Sequence, residues 1–242
     1  MNNLPSIYGF NKTSEAGIDT FAVSIFLSGC NLRCPYCMNS RLLIKNEMPI
    51  VPIEQIKKYV EDNKSNWVMI SGGEPTLSDK KELINLINEI KSWGCWVGLS
   101  TNGTRPSYLS SVIGLLNYVA MDIKGTNEIS DAIDNNKYPF LSSGLGYENL
   151  IKYSMEIIRS EKKNRSSLLY EFRTTLYPKF INKESIMKIS KLIRKDERWV
   201  LQQFRVTKNI LLDEKVIPYA EAEVYSLYEL IKETCNSEIR YV

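Results

Sequence analysis

A chain of 242 residues with 43% hydrophobic side chains holds enough apolar matter for one buried core of α/β-barrel size. Its 31 Lys and Arg against 28 Asp and Glu leave a formal charge of +3, too mild to indicate nucleic acid or an anionic membrane as partner, and no apolar run is long enough to cross a bilayer. Histidine is absent, which removes the commonest general base, the commonest zinc ligand and every Ser-His or Cys-His pair.

In chain order, short runs rich in Val, Ile, Phe, Tyr and Trp predict strands at 21–27, 67–71, 96–101, 118–123, 169–176 and 199–205, with a further one at 238–242. Between them, amphipathic patterns predict helices at 52–59, opened by Pro52, and at 78–93, capped by Ser78. Others follow at 106–116, 147–160, 183–194 and 219–234. The polar stretch 125–146 reads as a mobile loop. Strand and helix in alternation predict an α/β fold whose parallel strands are joined by right-handed crossovers, and six such units suit a partial (β/α)6 barrel. The expected organisation is one domain over 1–242, with a core at about 18–205 and a C-terminal helix and strand at 219–242. In this architecture chemistry gathers where loops leave the C-terminal ends of the strands.

The five cysteines are few and odd in number, and three of them crowd into Cys30, Cys34 and Cys37, directly after the first predicted strand. The opening MNNLPSIYGFNK has no apolar stretch of signal-peptide type, so a cytoplasmic, reducing location is expected. In that setting the cluster reads as a metal site. Three thiolates within eight residues can hold one iron–sulfur cube, leaving one iron open to a non-protein ligand. A tetrahedral zinc site would need a distant fourth ligand, and Cys95 and Cys235 read as small apolar core residues.

Other unusual residues also fall at strand ends. Gly72 and Gly73, before Glu74 and Pro75, allow a backbone to approach closely. Ser100 and Asn102 offer a hydroxyl and an amide, though an ordinary Asn-Gly turn would look the same. Asp122 and Lys124 share one face of their strand. Arg173 sits on a buried strand and needs an anion, either a ligand carboxylate or nearby Glu171. Gln202, Gln203 and Arg205 close the sixth strand.

The C-x3-C-x2-C spacing with Tyr36 before the last Cys resembles the radical SAM superfamily. The segments ISGGEPTL, STNG, YVAMDIKG, YEFRTTLYP and VLQQFR, in that order, resemble the activating enzymes of anaerobic ribonucleoside-triphosphate reductase and, more broadly, the glycyl-radical-enzyme activases. The resemblance implies a radical SAM barrel with one [4Fe–4S] cluster on Cys30, Cys34 and Cys37, its open iron chelating S-adenosylmethionine. It also implies that Gly72, Gly73 and Glu74 meet the methionine amino group, that Asp122 and Lys124 help hold S-adenosylmethionine and a monovalent cation, and that Arg173 contacts its carboxylate. Ser100 and Asn102 suit its ribose or sulfonium end, and Tyr36 and Gln203 are further cofactor contacts. The implied partners are a glycyl radical enzyme, such as anaerobic ribonucleotide reductase, and a flavodoxin or ferredoxin as electron donor. The chain departs from the family at Met38 and Tyr177, where members often carry His, and at Ser100, where aspartate is common. The competing expectations are a radical enzyme acting on a small molecule, in the style of 7-carboxy-7-deazaguanine synthase, and a non-enzymatic zinc or iron–sulfur protein.

Overall fold

The structure, a computed structural model, describes residues 3–14, 21–43, 50–125, 146–207, 210–211 and 216–240. The predicted loop at 125–146 falls almost wholly outside them, as do the last two positions of the strand predicted at 238–242. One eight-stranded sheet runs in chain order from β1 to β8. β1 (Ile7–Thr13) is antiparallel to β2 (Ala22–Leu27), and every later neighbour pair is parallel: β3 (Trp67–Gly72), β4 (Trp96–Thr101), β5 (Tyr118–Asp122), β6 (Leu169–Leu176), β7 (Arg198–Gln203) and β8 (Asn236–Arg240). The six predicted strands are β2 to β7, and the partial-barrel α/β fold is as expected.

The central strands are apolar on both faces because each is covered twice. Val23, Ile25, Val68, Ile70, Val97 and Leu99 belong to the outer core beneath the helices, while Ala22, Trp67, Met69, Tyr118 and Ala120 form a separate cluster on the inner face. The sequence pattern missed β1. Its IYGFNKT turns from buried to exposed halfway along and its register slips between Ile7 and Gly9, so no period-2 alternation survives.

The helices are α1 (Ile53–Asp62), α2 (Lys80–Ser92), α3 (Pro106–Val112), α4 (Tyr147–Asn164), α5 (Lys183–Ser190) and α6 (Glu221–Glu229). In α2, Leu83, Leu86, Ile87 and Ile90 form one buried stripe at helical spacing. Its cap is Asp79 rather than Ser78: the carboxylate accepts from the Lys81 and Glu82 amides. The helix predicted at 219–234 ends at Glu229, beyond which Thr234 Oγ1 donates to the Ile231 carbonyl and competes with the backbone ladder. No helix among the described residues is long and apolar enough to cross a membrane.

Register then brings the motifs together. Leu27 lies opposite Gly72, Thr101 opposite Met121, Asp122 opposite Arg173, and Leu176 opposite Gln203. The loops that leave these strands therefore open onto one cavity.

Candidate active site

The cysteine loop leaves β2 through Gly29, whose φ of 86° lies in the region that favours glycine. The Gly29 amide donates to the Leu42 carbonyl at 2.6 Å and the Cys37 amide to the Cys34 carbonyl at 3.0 Å. The Arg33 guanidinium donates to the Cys30 and Leu32 carbonyls, which fixes the turn from inside. Cys34 is buried, and Cys30 and Cys37 are half-buried; all three line the cavity. Burial pushes the Cys30 thiol up to about 12 and Cys34 to about 11, and raises Cys37. A bound metal charge reverses that tendency, so ligation and deprotonation occur together.

The donor set fits a cluster with three protein corners. Cys95 and Cys235 immediately precede β4 and β8, at the opposite ends of parallel strands, and donate to the Ser65 and Ile231 carbonyls. Neither is a candidate fourth ligand. No group of three Cys, Asp or Glu side chains among the described residues is arranged to hold a single metal ion. Thiolates around a cubane bind separate irons and need not converge on one point.

The Gly72-Gly73-Glu74 turn is zipped to the root of the cysteine loop. The Gly73 amide donates to the Leu27 carbonyl at 2.9 Å and the Glu74 amide to the Gly29 carbonyl at 2.8 Å. A Cβ on Gly72, where φ is 111°, would strike the Leu27 backbone, and one on Gly73 the Gly29 carbonyl oxygen. Gly72 and Gly73 line the cavity. Glu74 turns into the wall instead, and is 1% exposed. Its Oε1 accepts from the Thr76 amide and from the Thr76 and Thr101 hydroxyls, and its Oε2 from the Asn102 amide at 2.6 Å. Burial pushes its carboxyl above the usual carboxylate range, even though these donors oppose the rise. The carboxylate is thus fully engaged in joining the β3 and β4 loops.

From β4, Ser100, Thr101 and Asn102 line the cavity. Asn102 belongs to a closed ring: its Nδ2 donates to Asn31 Oδ1 (2.9 Å), Asn31 Nδ2 donates to Thr104 Oγ1 (2.7 Å), and Thr104 Oγ1 donates back to Asn102 Oδ1 (2.7 Å). Behind it, the buried Ser154 hydroxyl of α4 donates to the Gly103 carbonyl at 2.7 Å.

Asp122 joins two cations, Arg173 through Nε at 2.8 Å and Lys124 through Nζ at 3.0 Å. Burial pushes the Asp122 carboxyl up, but Arg173 and Lys124 outweigh it and hold the group below the usual range. The triad keeps a surplus positive charge beside Cys34 and Tyr36, where an anionic group would be stabilised. Tyr147, at the start of α4, accepts from the Lys124 amide. Arg173 therefore takes Asp122, not Glu171, as its protein anion. The fully buried Glu171 pairs with both outer nitrogens of Arg240, at 2.9 and 2.8 Å.

Tyr36 packs at 5.2 Å from the Tyr177 ring, which meets Phe180 and Phe204 at 5.1 Å each. This apolar wall shields the cavity beside the cysteines. Gln202, Gln203 and Arg205 also line the cavity, and Gln203 Nε2 donates to the Tyr219 carbonyl. Of the residues proposed from sequence, all but Glu74 border the cavity. Sequence reasoning missed Asn31, Thr76, Thr104 and Tyr147. Asn31 lay unnoticed as a spacer between Cys30 and Cys34, and only the repeated Thr two positions after Glu74 and Asn102 hinted at the other pair.

The sequence matches the Radical SAM superfamily over residues 24–193. It is 33% identical over 183 residues to a "putative glycyl-radical enzyme activating enzyme" of Methanocaldococcus jannaschii, covering 74% of this chain and 71% of that one. It is also 33% identical over 88 residues to the 7-carboxy-7-deazaguanine synthase of Hyperthermus butylicus, which covers 36% of this chain and 37% of that one. Among solved structures, Streptococcus suis SuiB bound to S-adenosylmethionine superposes with a TM-score of 0.58 at 16% identity, over 88% of this chain and 48% of SuiB, so the chain spans about half of that protein's length. Family match, sheet order and the three-cysteine cavity agree: the chain belongs to the radical SAM superfamily, whose cofactors are a [4Fe–4S] cluster and S-adenosylmethionine.

Proposed function

We propose that this radical SAM enzyme is an activase that removes the Cα hydrogen of one glycine in a partner enzyme and leaves a glycyl radical there. The observation that carries this reading is similarity along most of the chain to the archaeal relative named for that activity. The chemistry supplied when both cofactors are bound is one-electron cleavage of S-adenosylmethionine to methionine and a 5′-deoxyadenosyl radical, which takes the hydrogen and becomes 5′-deoxyadenosine.

The protein's share is to hold, orient and dry. Cys30, Cys34 and Cys37 hold three corners of the cluster. The half-buried backbone of Gly72 and Gly73 would receive the methionine amino group, and Arg173 and Lys124, which share the single carboxylate of Asp122 and so keep a surplus positive charge, would receive its carboxylate. Ser100 serves the ribose, and Tyr36 keeps water from that side. Glu74 acts on the ligand only through the turns it joins. Gln202, Gln203 and Arg205 face the partner's loop, with Gln203 preset by Tyr219. The sheet pairs from β1 to β8 in order, and an unclosed sheet of this kind suits entry of a protein segment. A glycyl radical enzyme, such as anaerobic ribonucleotide reductase, is the partner, and a flavodoxin or ferredoxin supplies the electron.

The partial similarity to 7-carboxy-7-deazaguanine synthase favours a second reading, turnover of a small molecule. Anaerobic assay with a co-expressed glycyl radical enzyme separates the two. The activase reading expects a stable glycyl EPR doublet on the partner and about one 5′-deoxyadenosine per radical. Repeated turnover of a deazapurine precursor with no protein radical would select the other.

A further inference from the structure

Asn102 has one amide hydrogen left over after its ring is closed, and it faces Cys30. The ring settles the orientation of the side chain. The Thr104 backbone N–H can only donate, and it donates to Asn102 Oδ1 at 3.0 Å, so the atom on the other side of the carboxamide is Nδ2. Nδ2 spends one hydrogen on Asn31 Oδ1 at 2.9 Å and stands 3.9 Å from Cys30 Sγ. The Asn102 backbone N–H donates in turn to the buried Glu74 carboxylate at 2.6 Å, and Asn102 itself is 4% exposed. Cys30 Sγ also accepts from the Leu32 amide at 3.4 Å. The cysteine nearest the β4 turn thus receives a backbone and a side-chain N–H, the latter supported by three residues from three loops: Glu74, Asn31 and Thr104.

We infer that Asn102 sets the reduction potential of the iron–sulfur cluster through its N–H to the Cys30 sulfur, with Glu74, Asn31 and Thr104 as positioning residues. This rests on the radical SAM assignment of Cys30 as a cluster ligand. Reduction adds one negative charge that is shared with the ligand sulfurs, and a donor aimed at a sulfur stabilises the reduced form more than the oxidised one. Removing the donor makes the cluster harder to reduce.

The test uses anaerobically reconstituted full-length protein without S-adenosylmethionine, titrated against redox potential and read by EPR. Iron and sulfide per chain are measured first. Four of each in the parent supports the cluster assignment, and their absence sinks that assignment rather than the tuning role alone. With full content, Asn102→Ala lowers the ratio of reduced to oxidised cluster at fixed potential roughly two- to tenfold, the span expected for one neutral hydrogen bond. Asn102→Asp keeps the shape and the contact to Thr104 but turns a carboxylate oxygen toward the sulfur, so its ratio falls further still. A purely structural role predicts the isosteric Asp variant near the parent and Ala furthest from it; that ranking, or unchanged potentials in both, overturns the inference. The parent protein labelled with 15N in asparagine side chains covers the case in which neither variant loads a cluster. Its reduced cluster shows a 15N coupling in pulsed EPR under the proposal, and lack of one contradicts it.

Discussion

Arg173 Nε meets Asp122 Oδ1 at 2.8 Å across the β5–β6 pair, and Lys124 takes the other oxygen of the same carboxylate. One anion thus holds two cations at the cavity wall. Arg173→Ala is expected to weaken S-adenosylmethionine binding about tenfold or more while iron content stays at the parent level, since no cysteine contact is lost. Arg173→Lys restores part of the affinity but loses the planar fork. Equilibrium dialysis with labelled S-adenosylmethionine, beside iron analysis, checks both. Parent-like affinity in the Ala variant contradicts the role.

Gly73→Ala tests the approach of two backbones. The new Cβ would meet the Gly29 carbonyl oxygen, and neither backbone is a flexible tip that can yield. The expected loss is about 2–4 kcal/mol, seen as a thermal midpoint lower by several degrees. Gly114→Ala, where an added Cβ meets nothing within 4 Å, serves as the control and stays close to the parent.

The fold at these positions was legible because its physics is local. Strands such as Ala22–Leu27 are apolar on both faces, and Gly72-Gly73 announces a tight approach. The partner of Arg173 was not legible, because the sequence offered only a ligand carboxylate or nearby Glu171, and Asp122 is brought alongside by strand pairing alone. Only the register that sets Asp122 opposite Arg173, and Arg240 of the last strand over Glu171, decides the pairing. Glu74 looked like a ligand contact for a similar reason. Its direction depends on the short turn at Pro75–Leu77, which presents the Thr76 amide to the carboxylate and draws it into the wall.

Glu197 supplies a pH-dependent part of the stability. Burial alone would raise its carboxyl, but paired hydrogen bonds from Arg159 at 2.6 and 2.7 Å, and one from the Arg194 amide, hold it below its usual value. A depressed carboxyl stabilises the fold above its unfolded value, near 4.3 for Glu. That contribution is lost as pH falls through the lower, folded value. Glu197→Gln should therefore cost about 2 kcal/mol at pH 7, and the gap to the parent should close below about pH 4. Urea melts at both pH values measure it, and a gap that stays constant with pH refutes the assignment.

Cys95→Ala is expected to keep full iron and sulfide content, because its thiol sits before β4 and donates to the Ser65 carbonyl. Cys34→Ala is expected to lose the cluster. Iron analysis after anaerobic reconstitution distinguishes the two, and retention by Cys34→Ala would remove that residue from the ligand set.

The most direct test of a cluster held at three corners is EPR of the dithionite-reduced, reconstituted protein before and after S-adenosylmethionine is added. The account predicts about four irons per chain and a [4Fe–4S]+ spectrum that changes when S-adenosylmethionine occupies the fourth iron. A single zinc ion at the cysteines, or a cluster spectrum indifferent to S-adenosylmethionine, would contradict it.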